Sequence, residues 1–287
     1  MTGTVVPTPQ GGRTPAVSVC IPVYRGEDHL ATTMESVLAQ TFDDFELVVL
    51  DNCSPDRSAE IAASFDDPRI RLESTPRVLP LTENWTTAVR ATRAPLVKLL
   101  CDDDLLHPRC LELQVAALQH EPDLALVVSR HHLVDGDGHL VVPARFLRGL
   151  LGRRTHAEVV RRVVRSGANP IGPMCGVTFR RAAFDATEGF VSDKIFIADL
   201  DLLVAMSAHG AFRGQRESLA AYRLVPTSVI ARARREHFRV QEAFMTELRA
   251  SPGSPVRRVD ALTGHLAAPW ARARRRAGSA LAERRGA

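Results

Sequence analysis

The first 130 residues alternate between short apolar runs and amphipathic stretches, and this alternation limits the folds open to the chain. Apolar runs of about 4–8 residues between turn signals are typical of buried strands, whereas apolar residues three and four positions apart are typical of helices. Strands separated by helices predict a parallel sheet with right-handed crossovers. The predicted strands cover residues 17–21, 46–50, 69–72, 96–100 and 124–129.

Two local signals refine the first strand and the first helix. Proline removes a ladder donor, so the first strand is expected to stop at Pro22. Asp28 precedes the first helical pattern and is the expected N-cap.

The alternation breaks beyond Ser129. The run Asp135-Gly136-Asp137-Gly138 predicts a hairpin, because Asp-Gly pairs favour tight turns. Further patterns predict helices at 156–166 and 199–209, strands at 175–180 and 219–224, and a helical, basic segment from residue 230. We expect a flexible lead-in (1–16), an α/β half (17–130), a second half of the same domain (131–229) and a helical, Arg-rich extension (230–287).

Composition narrows the class of protein. With 287 residues and 45% hydrophobic content the chain can bury a sizeable core, and no apolar run approaches the roughly 18–20 residues of a membrane span. The lead-in is rich in Thr, Pro and Gly and lacks the apolar segment of a signal peptide, so a cytoplasmic location is expected. The five cysteines stand singly, which predicts reduced thiols.

Charge is distributed unevenly. From Arg232 onward there are 13 Arg and five acidic residues, about +8, so the preceding part carries about −4 of the net +4. Such a segment suits an anionic lipid surface, a nucleic acid or an acidic partner, and a solvated helical surface is an equal alternative. Few aromatic residues (Phe238, Phe244 and Trp270) interleave with the arginines of this segment, so nucleic-acid binding is not expected, whereas peripheral membrane contact remains an expectation.

Polar or aromatic groups follow three of the predicted strands. They are Tyr24 after Pro22, Asp51-Asn52, and the run Asp102-Asp103-Asp104 after Cys101. The ends of parallel strands lie on one edge of the sheet, where open α/β folds bind ligands. Taken one at a time, each group has a structural interpretation: Tyr24 as an aromatic residue at the edge of the core, Asp51-Asn52 as a turn, and the Asp run as a helix cap. Together they fit a nucleotide, with Tyr24 stacking on a base and Asp51 accepting its imide N–H.

The triple carboxylate predicts a cation site. Adjacent negative charges repel one another, and a divalent cation best offsets that cost. No glycine occurs between Gly26 and Gly136, which excludes a Gly-rich dinucleotide loop and a Walker-type loop in this half. Phosphates bound there would therefore need a metal ion.

Residues 17–118 resemble the family 2 glycosyltransferases of the GT-A fold. The matching blocks keep the family's order and approximate spacing, and residues 176–181 and 199–202 match more loosely. The blocks are Ile21-Pro22-Val23-Tyr24, Ser36-Val37-Leu38-Ala39-Gln40-Thr41, Leu47 to Ser54, Glu83-Asn84-Trp85 and Lys98 to Pro108.

The resemblance implies a Rossmann-like, mostly parallel sheet flanked by helices. It also implies an enzyme that moves a sugar from a nucleoside-diphosphate sugar to an acceptor hydroxyl, usually with inversion, with Mn²⁺ or Mg²⁺ bound. The donor would contact Pro22, Tyr24, Asp51, Asn84 and Asp102, and the metal would bind Asp103 and Asp104.

The family's catalytic base is usually the Asp of a Glu-Asp pair that opens a late helix. Here the pair reads Ala198-Asp199, so Asp199 is the candidate base and Asp201 the fallback, with a helix cap as the structural alternative. Saccharide, lipid-linked and natural-product acceptors all remain open.

Two departures from the family pattern support an alternative reading. Cys101 stands where many members have the first Asp of the metal motif, and Ala198 replaces the Glu. A catalytically silent sugar-nucleotide-binding or scaffold protein is therefore the alternative function. Arg180-Arg181 could meet a phosphate or be surface charges.

Overall fold

The computed structural model describes residues 13–224, 234–267 and 269. Its centre is one open sheet in the order β3-β2-β1-β4-β9-β6-β10-β5, with β7 paired to β6 and β8 to β10. The predicted α/β class, with a large open sheet flanked by helices, is confirmed, and the sheet is mixed. The strands are β1 (Val17–Val23), β2 (Phe45–Asp51), β3 (Ile70–Ser74), β4 (Leu96–Leu99), β5 (Leu105–Leu106), β6 (Leu124–Val134), β7 (Leu140–Arg145), β8 (Gly152–Arg154), β9 (Val177–Arg180) and β10 (Ala211–Arg223).

Helices cover both faces of the sheet. They are α1 (Leu30–Leu38), α2 (Ser58–Ala63), α3 (Leu81–Ala91), α4 (Cys110–His120), α5 (His156–Ser166), α6 (Arg181–Asp185), α7 (Ala198–Met206), α8 (Arg234–Ala250) and α9 (residues 258–267). Buried residues of α1, α2 and α4 share one core cluster, whereas those of α3, α5, α7 and α8 share the other.

The main strands run parallel except for β9, and the short strands β5, β7 and β8 pair antiparallel at the margin of the sheet. Strands β1, β2, β3 and β4 run parallel, and β6 pairs parallel with β10. Between these groups lies β9, which pairs antiparallel with both β4 and β6. The strands predicted to be parallel therefore do run in the same direction, and one antiparallel strand, β9, is inserted between the two groups.

The first strand does not stop at Pro22, as its sequence predicted. It continues to Val23, and Pro22 keeps its register opposite Leu50. The carbonyl of Cys20 accepts from Leu100, so Pro22 faces the same side, beyond the last residue of β4. The register of β1 with β4 ends at Cys20 opposite Leu99, so the proline follows the last pair on that side and interrupts none.

Other boundaries differ from the sequence predictions. His29, not Asp28, is the N-cap of α1, and no side chain caps that helix. Strand β10 begins eight residues before the predicted Leu219, because its early polar residues pair with β6 and β8. The short strands β5 and β8 were not predicted.

The segment after the sheet packs against the second core. Phe244 of α8 is buried there, and Arg161 of α5 donates to the carbonyl of Pro255 over 2.9 Å. Residues 1–12 of the predicted lead-in and the basic tail from residue 270 lie outside the described residues. Among the described helices, none combines the length and apolar character of a membrane span.

Candidate active site

Two loops are joined at the carboxyl edge of the sheet. The loop after β1 donates from Arg25 N to Ser54 Oγ (3.2 Å) and from Gly26 N to Ser58 Oγ (2.9 Å) in the loop after β2. Arg25 and Cys53 hold φ values of +59° and +53°, the left-handed region that tight turns use. The two loops thus form one connected rim.

The predicted nucleoside residues lie on this rim. Tyr24 is 41% exposed, and the Arg25 guanidinium lies 5.5 Å from its ring centroid. Asp51 ends β2, and both of its carboxylate oxygens accept from Ser54 N at 3.3 Å. Pro22 is buried within β1 below them. The rim thus presents one aromatic face and one carboxylate close to each other.

Asn52 fixes the next loop along the edge. It is buried, its amide donates to the carbonyl of Leu79 (3.0 Å), and its Oδ1 accepts from Leu79 N (2.8 Å) and Thr75 Oγ1 (3.1 Å). Its role is structural, consistent with the turn interpretation of Asp51-Asn52.

Asp102 lies directly under the rim. A Cβ added at Gly26 would come within 2.7 Å of its Oδ2, so only glycine allows this close approach. Burial, and next the charge of Asp103, raise the pKa of Asp102 to about 7, although the backbone of Tyr24 donates to it. This carboxyl therefore titrates near neutrality.

Three neighbouring groups form a compact ligand set. One atom each of Cys101, Asp103 and Asp104 lies within 4.8 Å of the others. Burial raises the pKa of Asp103 to about 6, and burial with the charge of Asp103 raises that of Asp104 well above its usual range. Asp104 is fully buried, and its Oδ2 lacks a hydrogen-bond partner among the described residues.

Cys101 contributes a neutral thiol to this set. Burial, followed by the charges of Asp104 and Asp103, raises its pKa well above the usual range. Mg²⁺ and Mn²⁺ prefer oxygen ligands, so the two carboxylates are the suitable ligands.

Arg223 ties the carboxylate run to the far side of the sheet. It ends β10, is buried, and donates from Nε to the carbonyl of Asp103 (2.8 Å) and from its terminal nitrogen to that of Gly136 (2.6 Å). The sequence did not indicate these contacts, which join residues 120 and 87 positions apart.

A second buried cation supports the floor of the site. Lys98 in β4 donates to Gln114 Oε1 (3.1 Å) and to the carbonyls of Cys175 (2.7 Å) and Val177 (3.1 Å). The Cys175 side chain also lowers the pKa of Asp104 against the effect of burial. Sequence reasoning missed this network, because a lysine inside an apolar strand gives no indication of its distant partners.

Asn84 and Asp199 are placed by helices outside the rim. Asn84 lies in the first turns of α3, buried, and its Oδ1 has no partner among the described residues. Asp199 is the second residue of α7, and its Oδ1 accepts from Leu200 N (2.7 Å). Asn169 Nδ2 approaches Asp199 Oδ2 at 3.4 Å, a contact that the sequence did not indicate.

The twin arginines have structural roles. Arg180 donates to the carbonyls of Leu118 and Leu124 at the end of α4 and the start of β6. Arg181 donates to the carbonyl of Ala94 (2.8 Å) and to the Thr92 hydroxyl after α3. Each guanidinium thus satisfies carbonyl or hydroxyl groups near a helix C-terminus, where positive charge is favourable.

His131 is the most unusual titratable group outside the carboxylate run. It is buried in β6 and stacks on Phe146, with ring centroids 4.7 Å apart. Neither ring nitrogen has a partner among the described residues, and burial, with Arg145 and His132 nearby, lowers its pKa to about 3.

Known proteins share this sequence pattern and fold. The family model described as glycosyl transferase family 2 matches residues 18–187, more than half of the chain. The putative glycosyltransferase EpsE of Bacillus subtilis (strain 168) is 28% identical over 239 residues, covering 80% of each protein. The uncharacterized protein MT1568 of Mycobacterium tuberculosis (strain CDC 1551 / Oshkosh) is 28% identical over 250 residues, 84% of this chain and 78% of that protein.

Two solved structures show the same fold. The mannosyltransferase PcManGT from Pyrobaculum calidifontis, in complex with GDP-Man and Mn²⁺, superimposes with a TM-score of 0.63 at 19% identity, over 99% of this chain and 79% of that one. TarS 1–349 from S. aureus, in complex with UDP-GlcNAc, gives a TM-score of 0.63 at 18% identity, over 82% of this chain and 67% of that one. The chain belongs to the family 2 glycosyltransferases, and it is a nucleotide-sugar-dependent glycosyltransferase with an open GT-A sheet.

Proposed function

We propose that this chain transfers a sugar from a nucleoside-diphosphate sugar to an acceptor hydroxyl with inversion, using a divalent cation. One observation carries the proposal: Asp103 and the fully buried Asp104 lie together beneath the nucleoside rim, and Asp104 keeps an unsatisfied carboxylate oxygen. Burying carboxylates side by side is costly unless a cation or protons neutralise them.

The residues present fit a divalent cation. Asp103 and Asp104 would hold it, and Asp102 would face the donor from beside Gly26. When bound, such a cation offsets the charge that develops on the departing diphosphate. The Mn²⁺ in the mannosyltransferase complex supports this reading.

The rim is the proposed donor site. Tyr24 would stack on the base and Asp51 would accept its imide N–H, with Pro22 below and Asn84 near the sugar. The UDP-GlcNAc and GDP-Man complexes of the structural neighbours support a donor of this class. On this reading residues 17–130 form the donor half and residues 131–229 the acceptor half.

Asp199 is the proposed general base. An inverting transfer needs a carboxylate that accepts the proton of the acceptor hydroxyl as it attacks the anomeric carbon. The Asn169 contact would orient Asp199 Oδ2 for that task.

The acceptor is a saccharide, a lipid-linked molecule or a natural product. A location in a reducing compartment such as the cytoplasm fits the five free cysteines.

Calorimetry with a panel of nucleoside diphosphates, with and without Mn²⁺, tests the donor site. We expect one nucleotide to bind in a metal-dependent manner and Asp103→Ala to lose that binding. Asp66→Ala removes an exposed carboxylate after α2 and is the matched control. If no nucleotide bound under either condition, the donor site would be wrong. If a nucleotide bound but no acceptor supported turnover, the catalytically silent alternative would replace the enzyme.

A further inference from the structure

The last described helix, α9, carries an exposed apolar stripe. Val259, Leu262 and Leu266 are 58%, 64% and 67% exposed, and we call these three residues the Leu262 stripe. Their spacing of three and four residues places them on one helical face. The other exposed large apolar side chains among the described residues lie apart on different segments, where single exposure is ordinary. They are Tyr24, Leu72, Val78 and Leu140.

The opposite face of α9 is fixed against the domain. Gly264 lies so close to the carbonyl of Val164 that an added Cβ would overlap it. Asp260 is fully buried and pairs with Arg165 of α5, and it also accepts from Arg257 N (2.8 Å). The helix therefore cannot turn its stripe inward without losing this packing.

A basic groove adjoins the stripe. It has a volume of about 290 Å³, lies between α8 and α9, and is lined by Arg249, Arg257 and Arg258 above Val256 and Ala261. Within the described part of the chain, none of these three guanidinium groups has a carboxylate partner. Arg258 is next to Val259 in sequence, so charge and apolar surface occupy adjacent faces of one helix.

We propose that the Leu262 stripe and the basic groove together bind an anionic lipid bilayer. The stripe would enter the headgroup region, and the three arginines would contact lipid phosphates. Helices that bind bilayer surfaces combine an apolar face with basic residues, and each basic residue near an anionic leaflet adds to the attraction. In the sequence, Trp270 and four further arginines between residues 272 and 276 follow α9 and extend the same composition.

Charge argues against a second copy of the chain as the occupant. A symmetric dimer brings the same surface of both subunits together. The three arginines of one copy would then face those of the other, with no acidic group in the groove to offset them. A nucleic acid is also disfavoured as the occupant, because its phosphates would pair with the three arginines but would leave the apolar Leu262 stripe exposed to water.

The surface is connected to the acceptor half of the domain. Helix α9 packs on Val164 and Arg165 in the last turn of α5, and the chain then leads to Asn169, which contacts Asp199. Vesicle binding itself needs no transferase activity, so its failure would leave the proposed function standing.

Co-sedimentation of the full chain with vesicles tests the inference. Vesicles of phosphatidylcholine alone are compared with vesicles containing about 30% phosphatidylglycerol, at about 50 mM and about 300 mM salt. We expect anionic vesicles to bind at least about 10-fold more tightly than neutral ones, with the difference shrinking at high salt. The triple variant Arg249→Gln/Arg257→Gln/Arg258→Gln should lower partitioning about 100-fold, and Leu262→Gln/Leu266→Gln about 10-fold.

Matched controls separate this surface from general charge and apolarity. Arg57→Gln and Leu140→Gln remove an exposed arginine and an exposed leucine from other elements and should bind like the wild type. Thermal melting shows whether each variant is folded. Equal binding to both vesicle types, or full binding by the folded triple variant, would overturn the proposal. So would a dimer in sedimentation velocity that Leu262→Gln/Leu266→Gln converts to monomer, because a second copy would then cover the stripe.

Discussion

The backbone N–H of Arg223 donates to Oδ1 of Asp104 over 3.0 Å, which joins the end of β10 to the carboxylate run 119 residues earlier. The same residue's guanidinium bonds the carbonyls of Asp103 and Gly136. Its positive charge also lowers the pKa of Asp103 against the effect of burial. Arg223 thus links the end of β10 to the carboxylate run and also serves as an internal counterion of these carboxylates.

Replacing this guanidinium should cost stability. Arg223→Met leaves the carbonyls of Asp103 and Gly136 without their donor and the carboxylates without their counterion, so we expect a loss of about 2–4 kcal/mol in unfolding free energy. Urea unfolding measures it. Arg57→Met, at an exposed pair with Glu60, is the same substitution on the surface and should leave stability nearly unchanged. Equal effects of the two variants would show that Arg223 is no counterion.

The carboxylate run should make the cation-free protein less stable at higher pH. The pKa of Asp102 is about 7 in the folded chain, raised from 3.8, so the native state binds more protons than the unfolded state between these values. This stabilising contribution is complete below about pH 4 and is lost as the pH rises through about 7.

Asp102→Asn tests the sign of this dependence. At pH 8 the variant should exceed the wild type by roughly 2–4 kcal/mol in unfolding free energy without divalent cations, and the difference should shrink at pH 5. Asp66→Asn, at an exposed site, should show no such trend. A gain for Asp102→Asn that is the same at both pH values would contradict the assigned titration.

Asp199→Asn should separate chemistry from binding. The amide keeps the shape of the side chain and cannot take a proton, so transfer should fall by about 10²–10⁴-fold. Nucleotide affinity in calorimetry should stay within about twofold of the wild type, because the proposed donor contacts lie on the rim. Turnover of the donor identified by calorimetry, with a responsive acceptor, measures the loss.

Asp201→Asn is the matched variant on the same helix. It should retain most activity if Asp199 is the base. The reverse result, with Asp199→Asn active and Asp201→Asn inactive, would move the base to the fallback residue.

His131 should weaken the fold in acid. Its pKa is about 3 in the folded chain against 6.5 for the free side chain, so the unfolded state takes up a proton first as the pH falls. Stability is therefore present above about pH 6.5 and is lost on the way down to about pH 3. His131→Leu should reduce the difference in unfolding free energy between pH 7 and pH 4.5 by about 2–3 kcal/mol.

An exposed histidine provides the comparison. The side chain of His139 is 79% exposed in the hairpin turn, so His139→Leu is the matched surface control for the loss of an imidazole. A wild-type slope retained by folded His131→Leu would mean that another group causes the acid loss.

The convergence of the strand-end side chains at one edge of the sheet could be predicted from sequence because it follows from strand direction alone. Once β1, β2 and β4 are parallel, Tyr24, Asp51 and Asp102 must lie at one edge. The proline rule failed at Pro22 because it depends on whether a neighbouring strand still needs the N–H on that side, which local sequence does not state.

The second half was harder because its contacts are long-range. Nothing in the residues of β9 indicates that it runs antiparallel between β4 and β6. The contacts of Arg223 with Asp104 and of Asn169 with Asp199 join residues far apart in sequence, so no motif spacing marks them. The early part of β10 is polar and carries no strand periodicity of its own.

The insertion of β9 has a mechanical consequence. Because this strand bonds to β4 on one side and β6 on the other, the first and second halves of the domain share one continuous hydrogen-bonded sheet. A hinge between them would have to break those ladders, so the halves cannot open and close like two jaws around a substrate. Adaptation to different substrates must then come from the loops at the edge of this sheet and not from a rotation of one half against the other.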